Sequence, residues 1–175
     1  ETLWGTAAEN SDGAAGNKDE DDSTIPTLED EVWIDEPNAY ATIDASNETI
    51  AKAAQLVVGR SASSNALESV QLDLLEDASL DIAGAMYVGQ FTDSDGTVYA
   101  SKGSQISIGG TLFVGLDGSG VDEDGEKTGG RGLLILADDA KLVTAGLDIA
   151  ASGGSKILMD DDVTIEIVND TEETN

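Results

Sequence analysis

The chain contains no cysteine and no histidine, and these two absences exclude several kinds of chemistry. Without cysteine there is no disulfide pattern from which a redox compartment can be inferred. Without histidine, Ser-His-Asp and Cys-His nucleophile systems and histidine-ligated zinc sites are impossible. Any catalysis would depend on carboxylates, tyrosine, lysine or arginine. The sequence therefore predicts a protein that is not an enzyme, and a carboxylate-based enzyme acting on polysaccharides is only the third of three functional hypotheses.

Basic residues are scarce, with 8 Lys and Arg against 36 Asp and Glu and a net charge of -28. The resulting field repels nucleic acid and anionic membranes, so we expect neither as a partner. It gathers cations, and it also serves solubility in salty surroundings. No apolar run is long enough to span a membrane, so membrane insertion is not expected. The chain begins with Glu1 rather than Met, which favours processing and an extracellular or cell-surface location.

An internal repeat is the main positive signal. Three segments combine apolar alternation, an acidic pair and renewed alternation, and a fourth has Lys102-Gly103 in place of the pair. The segments are residues 72–80, 134–142, 157–165 and, for the fourth, 98–106, and the acidic pairs are Glu76-Asp77, Asp138-Asp139 and Asp161-Asp162.

A second pattern begins at an apolar anchor, continues with a small residue or Gly, and ends in a short strand that closes with Val-Gly. It occurs at residues 50–59, 80–89 and 106–115, and a copy with one residue missing occurs at 142–150. The predicted anchors are Ile50, Leu80, Ile106, Leu142 and Ile165, which lie 30, 26, 36 and 23 residues apart.

A constant core with irregular spacing is typical of a β-solenoid, in which stacked coils pair through their backbones and extra residues form loops. The sequence predicts an all-β, single-stranded β-solenoid of about five irregular coils over residues 25–168, with an N-terminal cap or extension. The loops are predicted at residues 60–69, 90–97, 116–132 and 151–156. An antiparallel β-sandwich also explains the short strands, but it does not explain acidic pairs at one phase of the repeat. Helical content should be small, since the most helix-like stretch, residues 48–56, aligns with later strands.

The flanking segments differ in composition from this body. Residues 1–24 are acidic and rich in Asp, Asn, Gly and Ala, and residues 169–175 form a short polar tail. A polar segment of this kind is ordered only by contacts with the body of the domain or with a neighbouring subunit.

Two acidic, glycine-rich segments, residues 92–96 and 116–125, concentrate the oxygen donors that Ca²⁺ prefers. The candidate Ca²⁺ ligands are Asp93, Asp95, Asp117, Asp122 and Asp124. The EF-hand spacing fails, because Asp122 stands where Gly is needed and Thr128 where Glu is needed. Acidic, glycine-rich loops are more often simply solvated turns. The acidic pairs of the repeat have the same two interpretations, a shared cation or residues that simply favour turns, and we prefer the turns.

Part of the chain resembles a known group of proteins. Trp4, Pro26, Asp30 and Val32-Trp33-Ile34, followed by Gly-x-Leu-x-Val-Gly strands, resemble the start of secreted bacterial β-helix proteins. These include autotransporter-type passenger repeats and the repeat regions of proteins with a PEP-CTERM sorting signal. The resemblance covers most of residues 25–168 but lacks the Trp-Asn-Trp run of such proteins. It implies a surface, matrix or adhesive protein.

Two hypotheses precede the enzyme. The first is an extracellular structural protein that self-assembles as a homo-oligomer or polymer into a filament, sheath or matrix, with contacts from its loops and N-terminal segment, some stabilised by Ca²⁺. The second is a surface adhesin or glycan-binding module. Aromatic residues make up only 4% of the chain, which is too few for a stacking platform. Tyr87 and Phe113 share one repeat position, which predicts that they stack on one face as packing or subunit contacts.

Overall fold

A computed structural model of the chain describes residues 26–35, 39–45, 50–59, 70–90, 94–121, 127–150 and 154–168. Every regular element in these ranges is a β-strand, so the all-β prediction is confirmed for them. No helix long and apolar enough to cross a membrane occurs in these ranges. Residues 48–56, the most helix-like stretch of the sequence, contain β3 and the start of β4. The segments 1–24 and 169–175 lie outside the described residues.

The described strands are short, and most of them alternate buried and exposed residues. In chain order they are β1 (Glu31–Ile34), β2 (Tyr40–Ile43), β3 (Ala51–Ala53), β4 (Gln55–Val58), β5 (Val70–Leu74), β6 (Ser79–Ile82), β7 (Met86–Val88), β8 (Asp95–Ala100), β9 (Gln105–Val114), β10 (Leu116–Val121), β11 (Lys127–Leu136), β12 (Lys141–Ile149), β13 (Lys156–Met159) and β14 (Thr164–Ile167).

Parallel pairing arranges these strands in three positions, each of which recurs along the chain. The first position is a sheet of β2, β5, β8, β11 and β13. The second contains β3, β6, residues 105–108 of β9, residues 141–144 of β12, and β14. The third contains β1, β4, β7, residues 112–114 of β9 and residues 147–149 of β12.

The chain visits the first, second and third positions in turn and then returns to the first, one strand further along. Among the described strands, only β10 and β11 pair in antiparallel fashion. This order is consistent with a β-solenoid, and it is not the pairing of an antiparallel β-sandwich.

Apolar side chains alternate toward the interior of the stack, and each one lies against the equivalent residue of the neighbouring copy. In the second position, Leu80 pairs with Ile106 and Ile106 with Leu142, and none of the three is more than 1% exposed. Full burial of such a side chain contributes about 1.5–3 kcal/mol. Equivalent interior rows in the other two positions are Leu72, Val98 and Leu134, and Leu56, Met86 and Leu112.

The predicted anchors Leu80, Ile106 and Leu142 are confirmed, whereas Ile50 is wrong. Ile50 is 48% exposed, and Ala51 is the residue that pairs with Leu80. Ile50 was predicted by counting back from Val58-Gly59. The count fails because the chain has one residue fewer between β3 and β4 than between β6 and β7: Ala53 and Leu56 are equivalent to Ile82 and Met86.

Two other predictions about the anchors can be compared with the register. The missing residue in the copy at 142–150 is confirmed, because the register shifts by one between Thr144 and Gly146. Ile165 pairs with Leu142 as predicted, but it is only partly buried.

The prediction of a loop at residues 116–132 is wrong. Strands β10 and β11 form a hairpin there, with Leu116 opposite Gly130 and Val121 opposite Lys127. The hairpin lies outside the parallel rows, so its strands pair without the apolar alternation by which a strand is recognised in a sequence. Strands also begin inside two other predicted loops, at Asp95 and Lys156. The loop at 60–69 lies outside the described residues.

Glycine closes the corner at the end of the third position. At Gly89 the backbone N–H donates a hydrogen bond to the Val58 carbonyl at 2.8 Å, and φ is +75°. A Cβ at this residue would overlap the backbone carbonyl of Arg131 and lie 2.9 Å from the Gly132 nitrogen. Because these neighbours are backbone atoms, they cannot move aside as a side chain would. The corner therefore requires glycine both for its φ and for the close approach of β11.

We predict that Gly89→Ala lowers the free energy of unfolding by about 3 kcal/mol, since left-handed strain adds to overpacking. Gly154→Ala is a matched control, because Gly154 has the same φ of +75° but nothing within 4 Å of the added Cβ. It should cost only about 1 kcal/mol. Urea unfolding followed by circular dichroism measures both. Equal losses in the two variants would contradict the close approach at Gly89.

Candidate functional site

The acidic pairs of the repeat lie in four-residue turns that join the first strand position to the second. In the first of these turns, the Ala78 N–H donates to the Leu75 carbonyl at 3.0 Å. The second residue of each pair has positive φ, from 59° to 70°, at Asp77, Gly103, Asp139 and Asp162. Positive φ at the third residue characterises type II turns, where Gly and Asn are preferred and Asp is tolerated. The turn geometry thus accounts for acidic residues at this phase without a ligand.

These turns stack on one another. The Asp77 N–H donates to the Lys102 carbonyl, and the Gly103 N–H donates to the Asp138 carbonyl, both at 3.1 Å. The side chains therefore form a line, with neighbouring copies about 4.8 Å apart. We call this line the acidic column, and it consists of Glu76, Asp77, Lys102, Asp138, Asp139, Asp161 and Asp162, all exposed.

Lys102-Gly103 relieves crowding within the acidic column. Lys102 supplies the one positive charge between the Glu76 and Asp138 levels, and Gly103 leaves room for a neighbour, because a Cβ there would collide with Asp77 Oδ1. The part of the chain that the structure describes contains no group of three acidic residues that could hold a metal ion. The acidic column is a set of turns whose mutual repulsion is moderated by Lys102 and by salt.

The five candidate Ca²⁺ ligands are only partly described. Asp93, Asp122 and Asp124 lie outside the described residues. Asp117 lies on β10, which begins directly after Gly115. Asp95 is the first residue of β8 and pairs with Arg131 of β11. No described contact brings Asp95 and Asp117 together, so the Ca²⁺ site stays a prediction.

The Asp95 carboxylate is bound by the Arg131 guanidinium. Arg131 Nε donates to Asp95 Oδ1 at 3.3 Å, and Arg131 Nη2 donates to Asp95 Oδ2. This hydrogen bonding, assisted by Coulombic attraction, raises the pKa of Arg131. Because both carboxylate oxygens are engaged, a cation at Asp95 would have to compete with Arg131.

An outer row of side chains crosses the third strand position, from Trp33 through Val57, Tyr87 and Phe113 to Asp148. The rings of Tyr87 and Phe113 stack with centroids 4.9 Å apart and planes 6° apart, which confirms the predicted stacking. Sugars bind aromatic residues through an exposed ring face, and these two rings turn a face toward each other. The geometry favours packing within the outer row.

A polar network lies on the outer face of the first strand position. The Tyr40 hydroxyl donates to Asp73 Oδ2 at 2.5 Å, and Gln71 Nε2 donates to Asp73 Oδ1 at 2.7 Å. The hydrogen bond to Asp73 raises the pKa of Tyr40, since ionisation would place two negative charges side by side. Tyr40 therefore holds its proton more tightly than a free tyrosine, which makes it a poor general base.

At the C-terminal end of the described stack, the interior rows reach solvent. Ile149, Met159 and Ile167 are 43%, 58% and 49% exposed, although their equivalents in the preceding copy, Val114, Leu136 and Thr144, are fully buried. Ile157 and Ile165 are partly buried. We call these five isoleucine and methionine residues, Ile149, Ile157, Met159, Ile165 and Ile167, the open end.

The opposite end of the described stack is covered. Val32, Ile34 and Ile43 are 7%, 3% and 1% exposed, and the Ala54 N–H donates to the Asp30 carbonyl at 2.7 Å. An N-terminal cap or extension was predicted from the sequence, but the exposure of the C-terminal end of the described stack was not. A signal was present, because residues 169–175, which follow the last copy, contain no apolar residue.

Comparison of the chain with protein-family models, with curated proteins and with solved structures finds no match in any of the three.

We predict that Lys102→Glu destabilises the fold by about 1 kcal/mol at about 0.01 M salt and has little effect at about 1 M, because salt screens the acidic column. Lys102→Gln is the control and should lose about half as much. Urea midpoints at the two ionic strengths measure the effect. A loss from Lys102→Glu that does not depend on salt would show that repulsion is not its cause.

We predict that Asp73→Asn lowers the pKa of Tyr40 toward its ordinary value, because the neutral amide no longer opposes formation of the phenolate. Since the folded pKa is raised, the hydrogen bond stabilises the fold below the ordinary tyrosine pKa of about 10 and is lost as pH rises through the raised value. Phenolate absorbance during alkaline titration measures this. Tyr40→Phe identifies the tyrosine responsible, and an unchanged titration in Asp73→Asn would refute the assignment.

Proposed function

We propose that this chain is an extracellular structural protein, a self-assembling subunit of a filament, sheath or matrix, whose strands form a β-solenoid of about five irregular coils. The observation that carries the proposal is the open end. It gives each protein molecule one apolar surface, at one end of a stack whose other described end is covered. The resemblance of the sequence to secreted β-helix proteins supports the location, and the repeat supports a structural role.

The open end is costly to leave in water. Its residues continue interior rows that are fully buried one copy earlier, and covering apolar surface contributes about 25 cal/mol per Å². Among the described residues, no strand pairs with the outer edges of β13 and β14, and such an edge readily accepts a further strand. Apolar surface combined with an unpaired edge favours association with another chain.

The charge of the protein sets the conditions for assembly. With a net charge of -28, copies repel one another at low ionic strength. Salt shortens the range of this repulsion, and Ca²⁺ would in addition bridge carboxylates of neighbouring copies. Assembly should therefore require salt or divalent cations.

The two other functional hypotheses gain less from the described residues. A glycan-binding module needs an exposed aromatic face, but Tyr87 and Phe113 stack on each other. A carboxylate-based enzyme needs a base beside two free carboxylates. Tyr40 has a raised pKa, and Asp95 is engaged by Arg131. No described feature favours either function over assembly.

We predict that the protein forms polymers as NaCl or CaCl₂ is raised, and that Met159→Asp at the open end suppresses them at least tenfold. Leu75→Asp is the matched control. Leu75 is a 42% exposed apolar residue beside the acidic column, so it receives the same charge change away from the open end. Sedimentation velocity and negative-stain microscopy measure the assemblies. Stable monomers of the unaltered protein under all of these conditions would refute the proposed function.

A further inference from the structure

The open end has the shape of a step. In the first and second strand positions the last described strands are β13 and β14, but in the third position the last is β12, one copy earlier. Among the described residues, no strand lies beyond residues 147–149 of β12. Leu147 is therefore only partly buried, and Ile149 is 43% exposed. This vacant strand place is suited to an added strand with an apolar residue opposite Leu147.

The sequence that follows β14 is unsuited to this place. Residues 169–175 are Asn, Asp, Thr, Glu, Glu, Thr and Asn. Whatever register they took, polar or charged side chains would lie against Leu147 and Ile149. Burial of an unpaired carboxylate is strongly unfavourable, so residues 169–175 are poorly suited to supply this strand.

Strands of the third position have a recognisable pattern. A polar or small residue precedes an apolar residue that points inward, and an aromatic residue of the outer row often follows it. Examples are Ala85-Met86-Tyr87 and Thr111-Leu112-Phe113, in which Met86 and Leu112 are buried. Outside the described strands, Thr2-Leu3-Trp4 has the same pattern, except that Gly5 stands where Val88 and Val114 follow the aromatic residue. By this alignment Leu3 is equivalent to Leu112 and so to Leu147.

We propose that residues 2–4 of a second copy of this chain occupy the vacant strand place as an added parallel strand beside β12. Leu3 packs over Leu147 and beside Ile149, which lies opposite Gly5, and Trp4 extends the outer row beyond Asp148. The backbone of the segment pairs with the free edge of β12, as in other cases of strand addition. This inference rests on the proposed function, for which it supplies the subunit contact.

The tether is long enough for this contact. Residues 5–25 connect Trp4 to the described stack, and 21 residues span at most about 70 Å. The stack is only about 25 Å tall at about 4.8 Å per copy. Each copy donates one segment and accepts another at a different surface, so the contact is heterologous and produces an open chain of subunits. The same tether also reaches the open end of its own copy, a closed form that the first experiment distinguishes.

The first experiment uses disulfide trapping, which the absence of cysteine in this chain makes specific. One protein carries Leu3→Cys, and a second, distinguishable by a size tag, carries Leu147→Cys. Adjacent paired strands place their Cα atoms within disulfide range. Mixed under assembly conditions and oxidised, they should form the mixed dimer at least tenfold more than a control mixture of Leu3→Cys with Leu75→Cys.

A protein carrying both Leu3→Cys and Leu147→Cys completes this experiment. Trapping in a second copy gives a ladder of oligomers on a non-reducing gel. A cross-linked monomer as the main product would overturn the proposal in favour of the closed form. Equal trapping by Leu147→Cys and Leu75→Cys would overturn it as well.

The second experiment removes the donor segment. Deletion of residues 1–5 should reduce polymer at least tenfold without changing the urea midpoint, whereas deletion of residues 9–13, of equal length within the tether, should not. A synthetic peptide of residues 1–9 should bind the first deletion variant with a blue shift of Trp4 fluorescence. Persistence of polymers after deletion of residues 1–5 would overturn this inference and leave the proposed function intact. Absence of polymers in the undeleted protein would refute the proposed function instead.

Discussion

In-register parallel pairing between successive copies is the constraint on which the rest of this structure depends. It places each side chain against its equivalent in the next repeat, so that side chains of similar chemistry stack on one another. Inside, this produces continuous rows such as Leu80, Ile106 and Leu142, which supply the apolar burial. Outside, it stacks Tyr87 on Phe113. At the turns it aligns acidic pairs that would otherwise be far apart in space.

The acidic column is the unfavourable side of the same constraint. Asp at the third turn residue tolerates the positive φ that the turn requires, but repetition places carboxylates in line. The chain substitutes Lys102-Gly103 at one level, which supplies a positive charge and space for Asp77. The aligned carboxylates therefore favour solubility but lower stability through their repulsion. Ionic strength sets the size of this repulsion.

Much of the architecture could be predicted from the sequence, because the residues of the interior rows are the apolar residues that alternate along each repeat. Leu142 and the residue missing after it were found in this way. Ile50 was misplaced because one residue is absent from a bend that has no apolar signal. The hairpin of β10 and β11 was missed because it carries no core pattern. The asymmetry of the ends depends on what covers each end in space, which alternation along the chain does not encode.

The position of the hairpin also bears on how the sequence of such a chain can change during evolution. It leaves the parallel rows after Gly115 and rejoins them at Arg131, and its two ends are already neighbours, since Leu116 pairs with Gly130. The closing entropy of a loop grows only slowly with its length. Sequence can therefore be lengthened, shortened or exchanged between these two points while the rows beneath keep their register. The hairpin is a natural grafting point, where new surface features can be acquired without rebuilding the core.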